Sequence, residues 1–316
     1  MDDKHIALTP NYLKKEIARL KKEKNALIMA HYYQRDEIQE IADFIGDSLA
    51  LARQASQTDA DIIVMCGVHF MGETAKILCP DKKVLIPDMN AGCSLADSCR
   101  PEEFKKFIEK YPDHTVISYV NTSADVKALT DIVVTSGNAR KIVEQLPEDE
   151  KIIFGPDHNL GEYINSVTGR NMILWKGACH VHDRFSLEKI MELKNEHPGA
   201  KILVHPECKR PLQLIADKVG STAALLDFAS NDSSKEYIVV TESGILFEMR
   251  RKCPEKVFIA APGEDVECQC NECDFMKMNT LEKVYECLKN EKPEIYVDAE
   301  TASKAVKSIE RMLEMS

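Results

Sequence analysis

No uninterrupted apolar run in this 316-residue chain approaches the ~18 residues that a membrane-crossing helix needs, so no membrane partner is expected. A basic excess is missing as well. The 41 Lys and Arg face 52 Asp and Glu, giving a net charge of −11, whereas a nucleic-acid partner would call for a basic stripe. That balance still permits anionic small molecules, which local backbone amides can seat. Low-complexity stretches are absent and 44% of the residues are hydrophobic, so the chain reads as globular throughout. The opening residues, MDDKHIALTP, lack the basic and apolar regions of a secretion signal, and the expected location is cytoplasmic. In that compartment eleven cysteines signify thiols, metal ligands or catalysis rather than a disulfide framework.

What the sequence does have is recurrence. His31, Tyr119 and His205 each end an apolar or β-branched run, spaced by 88 and 86 residues. Ser48, Ser136 and Thr222 each follow 17 residues later. Gly67, Gly155 and Gly244, spaced by 88 and 89, each close a later apolar run. Cys93, Cys179 and Cys273 follow in turn, spaced by 86 and 94. A period near 87 is too long for a solenoid unit, so each repeat should be a small domain. The expected division is 1–95, 96–180 and 181–274, with two helices over 275–316 packing back on the body. Short apolar strands alternate with helical segments, which predicts an α/β fold: three homologous αβα domains with short parallel sheets, pseudo-threefold around a central cavity. Ligands of such sheets bind beyond the carboxyl ends of the strands, where the recurring residues stand.

Locally, PNYLKKEIARLKKEKN predicts a packing helix, followed by the strand NALIMAHYY. A helix beginning near Asp36 is expected to carry Ile38, Ile41, Ala42 and Ile45 on one face. The three recurring hydroxyls are expected at helix N-cap positions, where they would help seat a carboxylate or phosphate. Cys66, Cys79, Cys253 and Cys287 fall inside strand or helix patterns and read as ordinary buried thiols. The long, unequal separations of Cys93, Cys179 and Cys273 do not fit a zinc ribbon, and three thiolates leave one tetrahedral position short. A 4Fe–4S cluster held by three cysteines has one iron open to substrate. Cys268 and Cys270 are alternative ligands, a redox pair, or bystanders. The strand-end groups Tyr33, Asn121 and Glu207 suit proton transfer on a small polar substrate, and His182, close to Cys179, is expected to face the cavity. His5, His69, His114, His158 and His197 lie outside the recurring set.

The segments HYYQRDEIQEIADFIGDSLALA, PDMNAGCSLADSC, YVNTSADVKALTDIVVTSGNA, GPDHNLGEYI, GACHVHDRF, VHPEC, TESGILFEM and CDFMKMNTLEKV together resemble the quinolinate synthases, from about residue 25 to residue 290. The resemblance implies condensation of iminoaspartate with dihydroxyacetone phosphate to quinolinate, with loss of phosphate and water, and a functional link to an aspartate-oxidising enzyme. It implies a 4Fe–4S cluster on Cys93, Cys179 and Cys273, with the open iron as Lewis acid. His31, Ser48, Tyr119, Asn121, Ser136, His205, Glu207 and Thr222 match positions that hold the dicarboxylate substrate. Tyr33 and His182 match cavity positions implicated in later steps. Glu207 is the preferred general base, with Tyr33 and His205 as relays. Where some members carry Cys-x-x-Cys-x-x-Cys, this chain has Cys268-x-Cys270-x-x-Cys273, a departure that speaks against the regulatory disulfide proposed for those members. The competing reading is an iron–sulfur hydro-lyase acting on a small hydroxy acid. A redox carrier and a zinc-stabilised interaction protein are further rivals.

Overall fold

The computed structural model describes residues 9–264 and 271–316. Cys268, Cys270 and His5 lie outside the described residues. Three four-stranded sheets, parallel throughout, follow one another along the chain. The first contains β1 (Ala26–His31), β2 (Phe44–Gly46), β3 (Ile62–Cys66) and β4 (Lys83–Leu85). The second contains β5 (Thr115–Tyr119), β6 (Ile132–Val134), β7 (Ile152–Gly155) and β8 (Ile173–Leu174). The third contains β9 (Lys201–Val204), β10 (Lys218–Val219), β11 (Glu236–Val240) and β12 (Val257–Ala260). All three share one strand order: β2-β1-β3-β4, β6-β5-β7-β8 and β10-β9-β11-β12.

An aspartate fixes the short edge strand in each sheet. Asp43, Asp131 and Asp217 accept the backbone N–H of Ile28, Val116 and Ile202 at 2.9, 2.8 and 2.8 Å. Their own N–H groups return to the carbonyls of the same three residues at 2.9 Å. These bonds fix a register that pairs Met29 with Phe44, Ile117 with Ile132 and Leu203 with Lys218. Helices cover the strands, so β3, β6 and β7 are buried along their whole length and read as continuous apolar runs.

The edge strands correct one expectation. The helix at Asp36 stops at Ile41, and Ile45 belongs to β2 rather than to that helix's face. The opening helix, Pro10–Glu23, buries Leu13, Ile17 and Leu20. These join Val284 and Leu288 of helix Leu281–Asn290 in one cluster against the first sheet. The last helix, Ala299–Met315, buries Ala305, Ile309 and Met312, and Ser308 Oγ donates to Lys127 O at 3.0 Å. It therefore seats on the second unit. No helix among the described residues is long and apolar enough to cross a membrane.

Candidate active site

The central strand of each sheet delivers a side chain to the same cavity. His31 ends β1, Tyr119 ends β5, and His205 follows β9 directly. Two residues on, Tyr33, Asn121 and Glu207 line that cavity too, together with Ser48, Ser136, Thr222, His182 and the thiols Cys93, Cys179 and Cys273. The structure thus brings together every site residue singled out from the sequence. The cavity leaves about 60 Å³ open to a water-sized molecule, bordered closely by these side chains.

The equivalence of the three thiols is visible in the backbone. The N–H of His69 donates to Ala91 O at 2.7 Å, that of His158 to Gly177 O at 2.8 Å, and that of Ser243 to Asn271 O at 3.3 Å. Each acceptor stands two residues before its cysteine, so the three thiols leave equivalent loops. Cys93 and Cys179 are the N-cap residues of short helices, Ser94–Asp97 and His180–Asp183, and Cys273 precedes the turn Met276–Met278. Backbone N–H groups of the turn that follows lie on the side of each sulfur and favour its charged form: Ala96 and Leu95 for Cys93, His182 for Cys179, Met276 and Phe275 for Cys273. Donors aimed at sulfur favour the thiolate that a metal requires. Burial works against them, pushing Cys93 up to about 12 and Cys273 to about 11 and raising Cys179 as well, so metal binding must displace protons here.

Two features of the sequence reading change. The glycines are not equivalent: pairing of Ala30 with Cys66, Ser118 with Gly155 and Val204 with Val240 aligns Gly155 with Cys66 and Val240. Gly67 lies one residue too late and Gly244 four. The hydroxyls are not N-caps either. Asp47 and Ser221 cap the helices Ser48–Gln57 and Thr222–Asn231, accepting from Ala50 and Ala224 at 3.0 and 3.3 Å. Ser48 and Thr222 are the first helical residues, free of the capping bond, while Ser136 sits in the turn before helix Ala139–Gln145.

A polar network crosses the cavity. The Tyr119 hydroxyl donates to Glu207 Oε1 at 2.5 Å, and His182 Nδ1 lies 3.1 Å from Glu207 Oε2 and 3.3 Å from Cys179 Sγ. His182 Nε2 meets Thr241 Oγ1 at 2.9 Å, and Thr241 Oγ1 meets the Tyr33 hydroxyl at 2.7 Å. The rings of His182 and His205 stack 4.5 Å apart. Burial alone would raise the Glu207 carboxyl, but the adjacent imidazoles of His182 and then His205, with the hydrogen bond from Tyr119, hold it below the usual carboxylate range. Burial pushes His31 and His205 down to about 3, the nearby His182 adding to the effect on His205. Both rings are therefore neutral at neutral pH. Their Nδ1 atoms accept the N–H of Tyr33 at 3.2 Å and Glu207 at 3.4 Å, which leaves the proton on Nε2. His205 Nε2 reaches Ser136 Oγ at 3.2 Å.

Sequence reasoning missed Thr241, which bridges Tyr33 and His182, and two buried carboxylates, Asp157 and Glu242. It also missed Lys277, whose Nζ lies 3.0 Å from Glu242 Oε1. Asp157 and Glu242 occupy one equivalent position just past β7 and β11, a recurrence concealed because the first unit has Val68 there. Outside the cavity, His69 lies 3.7 Å from Glu73, His158 pairs with Glu162 at 3.1 Å and His197 with Glu236 at 2.7 Å.

The family profile described as Quinolinate synthetase A protein matches residues 15–314. The chain belongs to that family. Quinolinate synthase of Microcystis aeruginosa is 55% identical over 307 residues, covering 97% of this chain and 96% of the relative. That of Chloroherpeton thalassium is 55% identical over 301 residues, covering 95% and 94%. That of Nostoc punctiforme is 56% identical over 300 residues, covering 95% and 92%. In this quinolinate synthetase A chain the three equivalent thiols fit a thiolate-held cluster, by donor type and by the N–H groups around each sulfur. Cys179 Sγ, a His182 ring nitrogen and a Glu207 oxygen also lie within 4.8 Å of one another.

Proposed function

We propose that this chain is a quinolinate synthase, condensing iminoaspartate with dihydroxyacetone phosphate to quinolinate with release of phosphate and water. One observation carries the reading: three equivalent thiols share a cavity with a proton-transferring network, and its lining contains neither Lys nor Arg among the described residues. Positive charge for anionic substrates must then come from backbone N–H groups, from histidine, or from a metal. When bound, a 4Fe–4S cluster on Cys93, Cys179 and Cys273 supplies that Lewis acidity through its open iron.

The chain's own residues do the remaining work. Ser48, Ser136 and Thr222, with the amides around them, orient the carboxylates and the phosphate. The Nε2–H groups of His31 and His205 donate to substrate oxygens, joined by Tyr119 and Asn121. Glu207 takes the proton as general base. Paired with His182 it is a weak base, so abstraction requires the substrate to displace that contact. Tyr33, Thr241 and His182 form the relay that carries protons onward. Enclosure keeps water from a readily hydrolysed imine. An aspartate-oxidising enzyme supplies that imine, and the location is cytoplasmic. The chain divides at 1–95, 96–180 and 181–274, with 275–316 returning to the body.

Anaerobic reconstitution, iron and sulfide analysis, and assay with both substrates test the proposal. A cluster and quinolinate are expected. An intact cluster with no quinolinate, but with dehydration of a small hydroxy acid, would establish the hydro-lyase instead. Zinc without sulfide would overturn both.

A further inference from the structure

Two buried carboxylates stand beside two of the three thiols and hydrogen-bond to none of the groups around Glu207. Asp157 Oδ2 accepts the Cys179 N–H at 2.9 Å, and Oδ1 accepts the Leu160 N–H at 2.9 Å. Glu242 Oε1 accepts the Cys273 N–H at 3.1 Å, and Oε2 accepts the Gly244 N–H at 2.7 Å. Both side chains are fully buried. Each immediately precedes the residue whose N–H bonds the carbonyl two residues before the cysteine. The two therefore do the same thing at the same place in two units.

We propose that Asp157 and Glu242 are positioning residues that clamp the loops of Cys179 and Cys273 and so set how firmly, and in what electrostatic field, the cluster is held. This inference rests on the reading that those thiols bind the cluster. The chemistry requires a carboxylate. Two N–H donors approach from different sides, and a carboxylate offers both oxygens as acceptors. An amide has one acceptor and would set an NH₂ against the second N–H. With its own N–H engaged by the carboxylate, the cysteine receives donors on sulfur only from the following turn. Burial raises both carboxyls, Asp157 well above the usual carboxylate range and Glu242 to about 7 against the pull of Lys277, so the negative charge near a ligand comes from Glu242, where it opposes electron uptake by a bound cluster.

Glu242 extends the clamp to the first unit. Lys277 Nζ, 3.0 Å from Glu242 Oε1, also donates to Tyr33 O at 2.9 Å, and Arg35 Nε donates to Lys277 O at 2.8 Å. The segment carrying the third thiol is thus tied to the backbone of Tyr33. In the first unit the Val68 side chain offers no acceptor, so the Cys93 loop has the backbone bond from His69 to Ala91 but no carboxylate clamp.

The test uses the anaerobically reconstituted full chain. Asp157→Ser preserves an N-cap hydroxyl for helix His158–Thr168 but removes the second oxygen, and Glu242→Gln preserves shape. Both should release iron to a chelator about 10-fold faster or more than wild type. Glu242→Gln should also shift the cluster's midpoint potential upward. Glu248→Gln, which removes another buried carboxylate of the third unit, one paired with Arg251 at 2.7 Å, should change neither quantity. A purely structural role would leave the potential unmoved. Wild-type iron release and potential in both variants would overturn the clamp while leaving the cluster reading intact. A wild-type chain that binds no cluster would overturn both.

Discussion

The hydroxyls of Tyr33 and Thr222 lie 2.7 Å apart although they belong to the first and third units, 189 residues distant in sequence. Through Thr241 the same tyrosine reaches His182, Glu207 and finally Tyr119 of the second unit. One path of polar contacts, hydrogen bonds apart from the 3.1 Å approach of His182 to Glu207, therefore joins all three units, and Tyr33 is its hinge point.

Tyr33→Phe cuts that path without removing the ring. Turnover is expected to fall about 10²-fold, the scale of losing one positioned proton-transfer group. Iron content should match wild type. Normal turnover in this variant would exclude Tyr33 from the relay.

Alanine at Cys93, Cys179 or Cys273 should each abolish cluster binding. Cys66 and Cys287 are buried in the cluster beneath the opening helix, and their alanine variants should keep full iron and sulfide. Elemental analysis of the reconstituted proteins separates the two groups. A cluster retained by Cys273→Ala would move the third ligand elsewhere.

Glu207→Gln keeps the Tyr119 hydrogen bond but loses the charge that faces His182. We expect iron content and substrate affinity near wild type and turnover lower by about 10²-fold or more. A raised KM with unchanged turnover would make Glu207 a binding group only.

Much of this site was legible because repetition amplifies weak signals. A lone Ser48 or Cys93 says little, but identical offsets of the hydroxyls from His31, Tyr119 and His205, and similar ones of the cysteines, placed both on common ground. The same reliance on offsets misled at Gly67, Gly155 and Gly244, since the third unit carries two extra residues between β11 and its helix, which shifts Gly244 to the helix N-cap. Strands of two or three residues, such as β2 and β10, carry too few side chains to show a period. Asp157 and Glu242 went unseen because two carboxylates of different length and a valine share no pattern, although the backbone treats them alike.

Lys127 is buried, with Nζ donating to Thr122 O and lying 5.4 Å from the Phe70 ring centre. Burial pushes its ammonium down to about 8, well below its ordinary 10.5. The folded state therefore binds this proton less tightly than the unfolded chain. The charge costs stability below pH 8, and the cost fades as pH rises from 8 towards 10.5. Lys127→Met should stabilise the chain by up to about 3 kcal/mol at pH 7, with the advantage shrinking by pH 10. Urea unfolding of variant and wild type at both pH values reads this difference, with the titration of other groups cancelling between the two proteins. A constant difference would show that the amine is not desolvated.

Three identical units would present any ligand with three interchangeable poses, and the proposed condensation of two different molecules would not tolerate that ambiguity. The cavity removes the degeneracy at matching positions: tyrosine replaces histidine at 119, and Tyr33, Asn121 and Glu207 differ completely from one another. The repeated scaffold supplies convergence, and the departures from repetition supply direction. A substrate held here has a defined front and back because the second unit lacks the imidazole of its neighbours and only the third brings a carboxylate to the strand-end position.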